Sequence, residues 1–184
     1  MALNIVKAFV VLVFPVVVFF AFANRQAAHS GRDLALKNVS PTDAKPLNTR
    51  LHYDVNDVDY FWGALGKDGR LAEQRFLKED LTFPLFYGGA LMLSLGWLLW
   101  KSGLSWSPWL VMLPVLLGMI GDWTENVIQL GQLQRYIDSG KSALDPGAIL
   151  RSSLATDLKL VGIAASDVLV IVLAVAFVWR TTSR

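Results

Sequence analysis

The chain has 184 residues, with 17 Lys+Arg against 15 Asp+Glu for a formal net charge of +2. Hydrophobic residues make up 54% and charged residues 17%, against about 25% charged in an average soluble domain. This balance excludes a disordered chain and argues against an ordinary soluble enzyme, and zero Cys removes disulfides, thiolate metal sites and a Cys nucleophile.

From the N-terminus, Ala8 to Ala23 carry no charge. A helix needs about 20 apolar residues to cross about 30 Å of hydrocarbon, so a transmembrane helix is expected over 2–24, kinked at Pro15. Ala21-Phe22-Ala23 also fits a signal-peptidase site, but the apolar run is long for a signal peptide. Segment 25–82 reads as an extramembrane loop. Its first half is polar and turn-rich, with Ser40-Pro41 and Lys45-Pro46, and is expected to be irregular. Asn38-Val39-Ser40 fits a glycosylation sequon. Val55, Val58, Phe61, Trp62 and Leu65 recur at three- and four-residue spacing, an amphipathic helix. Gly66-Lys67-Asp68-Gly69 reads as a turn, and Leu71 to Asp80 as a second short helix.

Three further apolar runs follow. Leu81 to Trp100 and Ser102 to Gly121 have no charge, and Leu160 to Trp179 have only Asp167. Transmembrane helices are expected over 84–102, 108–139 and 146–180. Pro84, Ser107-Pro108 and Asp145-Pro146 supply starts, and Gly103 and Gly140 supply stops. The fold class is therefore all-α: a single membrane domain over 1–184, a four-transmembrane-helix bundle with a helical extramembrane cap on one side. Both termini share one side with Lys7, Lys101, Arg180 and Arg184, and the loop side takes the other 13 of 17 basic residues. Positive-inside logic puts the loop side in the cytoplasm, whereas the signal-like start argues the reverse. Trp97, Trp100, Trp106, Trp109 and Trp179 all fall on the termini side, as an interfacial aromatic belt.

That belt is a depth ruler. Asp122 lies 13 residues from Trp109, Asp167 12 from Trp179, and Tyr87 13 from Trp100. At 1.5 Å per residue all three sit roughly 18–20 Å from the termini side. Asp122, Glu125, Asn126 and Gln129 share one face of their helix and make a polar stripe. Acids cost about 2.5–3.5 kcal/mol at a helix centre, so such a stripe faces the bundle interior or a wet cleft. Asp80 and Lys159 reach the loop-side boundary, with Arg70 just outside, which suggests Asp80–Lys159 or Lys159–Glu125 pairs. Gly162 and Ser166 allow close helix approach. A hard cation such as Mg2+ suits carboxylates, but the chain holds no strict metal motif. His29 and His52 both fall in the loop, so no transmembrane axial ligand for haem exists.

The runs Leu65-Gly66-Lys67-Asp68-Gly69-Arg70, Asp80 through Gly88, Leu113-Pro114 and Asp122-Trp123-Thr124-Glu125-Asn126 resemble a pattern in small, functionally unassigned four-helix bacterial integral membrane proteins. The resemblance spans residues 53–160 and implies a bacterial inner-membrane location but no activity. It singles out Arg70, Asp80, Tyr87, Asp122, Glu125, Asn126 and Lys159, leaving Asp167 to depth alone. The function expected is an acidic intramembrane pocket, open to the loop side, that binds or modifies a lipid or isoprenoid headgroup. Asp122 and Glu125 would be acid or base, with Arg70, Asp80, Tyr87, Asn126, Lys159 and Asp167 as ligand-binding residues. The alternative is a non-catalytic subunit of a membrane complex. Partners would be membrane lipids and a membrane protein or second copy, with no nucleic acid and no cofactor. Ion passage is disfavoured, because the termini-side half of every helix is apolar.

Overall fold

In an apolar solvent a chain meets its backbone hydrogen-bonding needs by forming helix, and most of each apolar run in this chain is helical. The computed structural model describes residues 2–37, 39 and 45–183, and all regular structure among them is helical. The elements are α1 (Ala2–Ser30), α2 (Arg32–Lys37), α3 (Val55–Ala64), α4 (Gly66–Asp80), α5 (Phe83–Ser102), α6 (Pro108–Ser139) and α7 (Pro146–Thr182). Short 3-10 turns stand at Leu47–Thr49 and Lys141–Ala143. Four stretches, Leu3–Ser30, Gly66–Ser102, Pro108–Ser139 and Pro146–Thr182, are long and apolar enough to cross a membrane. The expected sequon at Asn38 and Ser40, and the Ser40-Pro41 turn, lie outside the described residues.

The helix ends follow local chemistry. Asp145 caps α7 by accepting from Gly147 N at 2.8 Å. Asp54 caps α3 by accepting from Asn56 N at 2.7 Å and Asp57 N at 3.1 Å. Asp57 returns the favour by accepting from Asp54 N at 2.9 Å, which completes a capping box. Ser107 precedes α6 as expected but makes no side-chain cap bond. Gly103 ends α5 at φ +63°, a left-handed conformation that suits glycine.

Two expectations are corrected. Helix α1 continues six residues past Asn24, to Ser30, and α2 follows, so the start of the loop is helical. Gln26 and Arg32 explain this, since both are buried against α4 rather than left in water. The break before α4 is only Leu65 with Gly66 at φ +64°; Lys67, Asp68 and Gly69 are already helical.

Two apolar cores result. The first gathers Leu91, Leu95, Leu98, Val115, Leu173 and Phe177 from α5, α6 and α7. The second gathers Val58, Phe61, Trp62, Leu77, Leu133 and Ile149, where α3 and α4 pack on the far ends of α6 and α7. Along α6 the first core ends at Met119 and the second begins at Leu133. The polar stripe occupies the interval between them.

Candidate functional site

Residues 122, 125, 126 and 129 lie one helical turn apart on α6, and all four turn inward. Asp122 is 2% exposed, Glu125 and Asn126 0% and Lys159 6%. Lys159 crosses from α7 to bond both acids: its Nζ donates to Asp122 Oδ1 at 3.4 Å and to Glu125 Oε2. Asn126 Nδ2 donates to Asp122 Oδ1 at 3.2 Å and to the Asp80 carbonyl at 3.4 Å. Gln129 Nε2 donates to Glu125 Oε1 at 2.9 Å and to Tyr53 Oη at 3.0 Å.

Glycine sets the reach of Lys159. A Cβ on Gly162 would stand 2.6 Å from Gly118 N and 2.7 Å from the Pro114 carbonyl. One on Gly121 would stand 2.7 Å from the Ala155 carbonyl. Helices α6 and α7 therefore touch backbone to backbone, as small-residue seams permit. Ser166, the other small residue expected there, is buried and donates to the Gly162 carbonyl at 2.7 Å.

The loop-side segments close the network. Tyr53 Oη lies 2.8 Å from Ser152 Oγ and 3.4 Å from Thr156 Oγ1, and Tyr53 N donates to Ser153 Oγ at 2.9 Å. Burial, and then the nearby Glu125 carboxylate, push the Tyr53 phenol above its ordinary value, so it stays a neutral donor. From α1, Gln26 Nε2 donates to Asp80 Oδ1 at 2.8 Å and to the Phe76 carbonyl at 3.3 Å. Asp80 thus takes an amide rather than Lys159. Asp122, Glu125, Asn126 and Lys159 are thus buried, with Tyr53 and Gln26 bonded to Gln129 and Asp80 on their loop side.

The remaining expected residues go elsewhere. Arg70 donates to the Trp62 carbonyl at 3.3 Å and sits 5.5 Å from the Tyr136 ring, inside the second core rather than over the acids. Tyr87 is buried, and Asp122 is the charged group acting on it most strongly. Asp167 lies on the outer surface of α7 and lines a different cleft, which Tyr87 shares. His29 pairs with Glu79 and His52 with Asp157. Among the described residues no group of three or more His, Cys, Asp or Glu is placed to hold a metal ion.

The acids and amides lack donors. Asp122 and Glu125 share one ammonium, and Asn126 Oδ1 and Gln129 Oε1 have no hydrogen-bond partner among the described residues. A second buried pair stands apart, where Arg32 meets Glu73 through Nε–Oε2 at 2.6 Å and Nη2–Oε1 at 2.9 Å. Sequence reasoning missed Gln26, Arg32, Glu73 and Tyr53. Gln26 and Arg32 follow the apolar run by a few residues in a polar segment, where no apolar periodicity marked them as inward.

A cleft of about 530 Å³ lies where α1 meets the α4–α5 junction. Arg25, His29, Glu79 and Thr82 line its polar end, and Phe22, Phe83 and Phe86 its apolar end. Phe22 and Phe86 stack at 3.8 Å between ring centroids. Arg25 is exposed and makes no hydrogen bond or ion pair among the described residues. No protein-family model matches the chain, and neither a curated protein nor a solved structure matches it.

Proposed function

We propose that the chain is an integral membrane protein that binds a phosphate-bearing lipid headgroup at its loop-side rim. The observation that carries this reading is Arg25, an unpaired guanidinium above stacked Phe22 and Phe86 in the 530 Å³ cleft. Gln26, its neighbour, bonds Asp80, which lies 20 residues or roughly 30 Å of helix from Trp100. That depth is the boundary of the hydrocarbon, where headgroups lie. Guanidinium recognises phosphate through paired N–H donors, and Phe22 and Phe86 offer apolar surface for the first acyl carbons. Glu79, already paired with His29, stands at the same opening.

In this reading Asp122, Glu125 and Lys159 hold the helices in register rather than turn over a substrate. Their side chains bond one another and are buried, so binding rather than catalysis is the activity proposed. The basic excess on the loop side supports a cytoplasmic position for the rim and for the helical cap.

The test is native mass spectrometry of the full chain from detergent with phosphatidylglycerol or phosphatidylethanolamine added. One lipid should remain bound per chain, and Arg25→Ala should weaken retention by about tenfold, the loss of one charge-assisted bond pair. Equal retention by wild type and Arg25→Ala, with both folded, would overturn the reading.

A further inference from the structure

The side chains at the termini-side end of the bundle are charged in one sign only. None of the 15 acids falls there, whereas Lys7, Lys101 and Arg180 do. Arg180 is spent on the end of α5, where its Nη1 donates to the Ser102 carbonyl at 2.6 Å. Lys7 on α1 and Lys101 on α5 are exposed and make no hydrogen bond or ion pair among the described residues. Lys101 Nζ stands 3.7 Å from the centre of the Trp100 ring, whose face attracts the ammonium without neutralising it.

Both ammoniums line one cleft of about 530 Å³ between α1 and α5, with Trp97 and Trp100. Val10, Val11 and the same two indoles also bound a second cleft of about 550 Å³, so the two are one groove. It runs from Lys7 to Phe14, seven residues or roughly 10 Å of helix. Met92 and Leu93 line its lower part, where the one polar side chain, Ser94, is already bonded to the Val11 carbonyl at 3.2 Å. Trp97 packs edge-on against Phe177 at 5.3 Å between ring centroids, which fixes one wall. Helix α1 buries only 11% of its apolar span, against 33–50% for the other three, so the protein itself does not fill this groove. The groove is cationic at the indole belt, where headgroups lie, and apolar beneath it. That is the polarity of an anionic lipid with its head outward. A zwitterionic head fits less well, because its own cation meets two more and no carboxylate.

We propose that this groove seats one lipid of net negative headgroup charge, in the leaflet opposite the Arg25 rim. The phosphate lies between the Lys7 and Lys101 ammoniums, Trp97 and Trp100 flank the glycerol backbone, and one acyl chain follows the groove past Val10 to Phe14. The site does not depend on Arg25.

The groove is open along its length, so its lipid exchanges and is read in a bilayer by position. The full chain in phosphatidylcholine bilayers is photolabelled with trace phosphatidylglycerol or phosphatidylcholine carrying the same diazirine acyl chain, and labelled residues are mapped by mass spectrometry. Labelling at 10–14 and 92–96 should favour phosphatidylglycerol about tenfold, the order that two interfacial basic residues supply. Labelling at the exposed Val168, Ile171 and Val172 of α7 should show no such preference. In about 1 M salt, where the screening length is about 3 Å, the preference in the groove should fall below about twofold. Lys7→Gln with Lys101→Gln should lower it equally, and Lys7→Arg with Lys101→Arg should keep it. Arg25→Ala should leave it unchanged, which separates this site from the loop-side one. Loss of folding in the Gln pair, seen by circular dichroism, shifts the decision to the salt series and the Arg pair. The proposal is overturned if both probes label the groove equally, if the folded Gln pair keeps the preference, or if the preference survives salt. Competition by soluble glycerol phosphate as strong as by unlabelled phosphatidylglycerol would also overturn it and assign the two lysines to a free anion.

Discussion

The Lys159 ammonium on α7 hydrogen-bonds the Glu125 carboxylate on α6 with both side chains buried, and Asp122 shares the same ammonium. Removing one partner of such a pair leaves a charge with neither water nor counter-ion, at a cost of about 3–5 kcal/mol. Lys159→Met should therefore lower stability by that amount in detergent, followed as thermal or denaturant unfolding. Adding Asp122→Asn and Glu125→Gln should restore most of it, since a neutral network has no stranded charge. A Lys159→Met midpoint equal to wild type would refute the structural role.

The glycine seam makes a sharper contrast. Gly162→Ala would place a methyl 2.6 Å from Gly118 N and force α6 and α7 apart. Overpacking of this kind costs about 1–3 kcal/mol. Gly89 also lies inside a helix, but a Cβ there meets nothing within 4 Å. Gly89→Ala should be neutral or stabilising by up to about 1 kcal/mol through lower backbone entropy. Unfolding midpoints of the two variants should move in opposite directions, or at least differ clearly.

Arg32 ties α2 to α4 through Glu73 and lies 3.7 Å over the Phe76 ring. Arg32→Ala removes the fork and the stacking together and leaves Glu73 buried alone. The chain has no native Cys, so a single Cys placed at the buried Ala72 of α4, next to Glu73, reports local opening by its rate of alkylation. Labelling at Ala72→Cys should accelerate at least tenfold in the Arg32→Ala background. Arg32→Lys should recover only part, because an ammonium lacks the planar two-point geometry.

The α3 cap carries a pH signature. The backbone N–H groups of Asp57 and then Asn56 hold the Asp54 carboxyl below its ordinary value of 3.8. Its stabilising contribution is present above that ordinary value and is lost as pH falls through the lowered folded one. Amide exchange at Asn56 and Asp57, corrected for intrinsic rates, should stay slow down to about pH 4 and accelerate below it. Asp54→Ala should exchange fast across the whole range, and a cap insensitive to acid would contradict the assignment.

Much of this arrangement was legible in the residues. Charge-free runs and Pro or Gly punctuation marked the four long helices because hydrocarbon length and backbone chemistry leave few choices. The 122, 125, 126, 129 stripe was legible because burial of acids at helical spacing demands an inward face, whereas equal depth pointed Lys159 to Asp80 and left Lys159–Glu125 as the other of two pairings. Partner choice at the rim was not legible. Asp80 takes Gln26 from a residue 54 positions away, and nothing in local spacing ranks an amide above Lys159. Depth also placed Asp167 level with Asp122 but could not say that it faces outward. Depth is a coordinate along a helix, while facing depends on which neighbours pack around it.

The backbone seam between α6 and α7 bears on how the chain is built during synthesis. An isolated α6 would present two acids and two amides to lipid, and their counter-charge arrives only with Lys159, 34 residues after Glu125. We therefore expect the insertion machinery to release the two helices as one hairpin. A nascent chain cut before Pro146 should fail to hold α6 across the bilayer in a glycosylation-mapping assay, and one reaching Arg180 should succeed. Stable crossing by the shorter chain would show that α6 needs no companion.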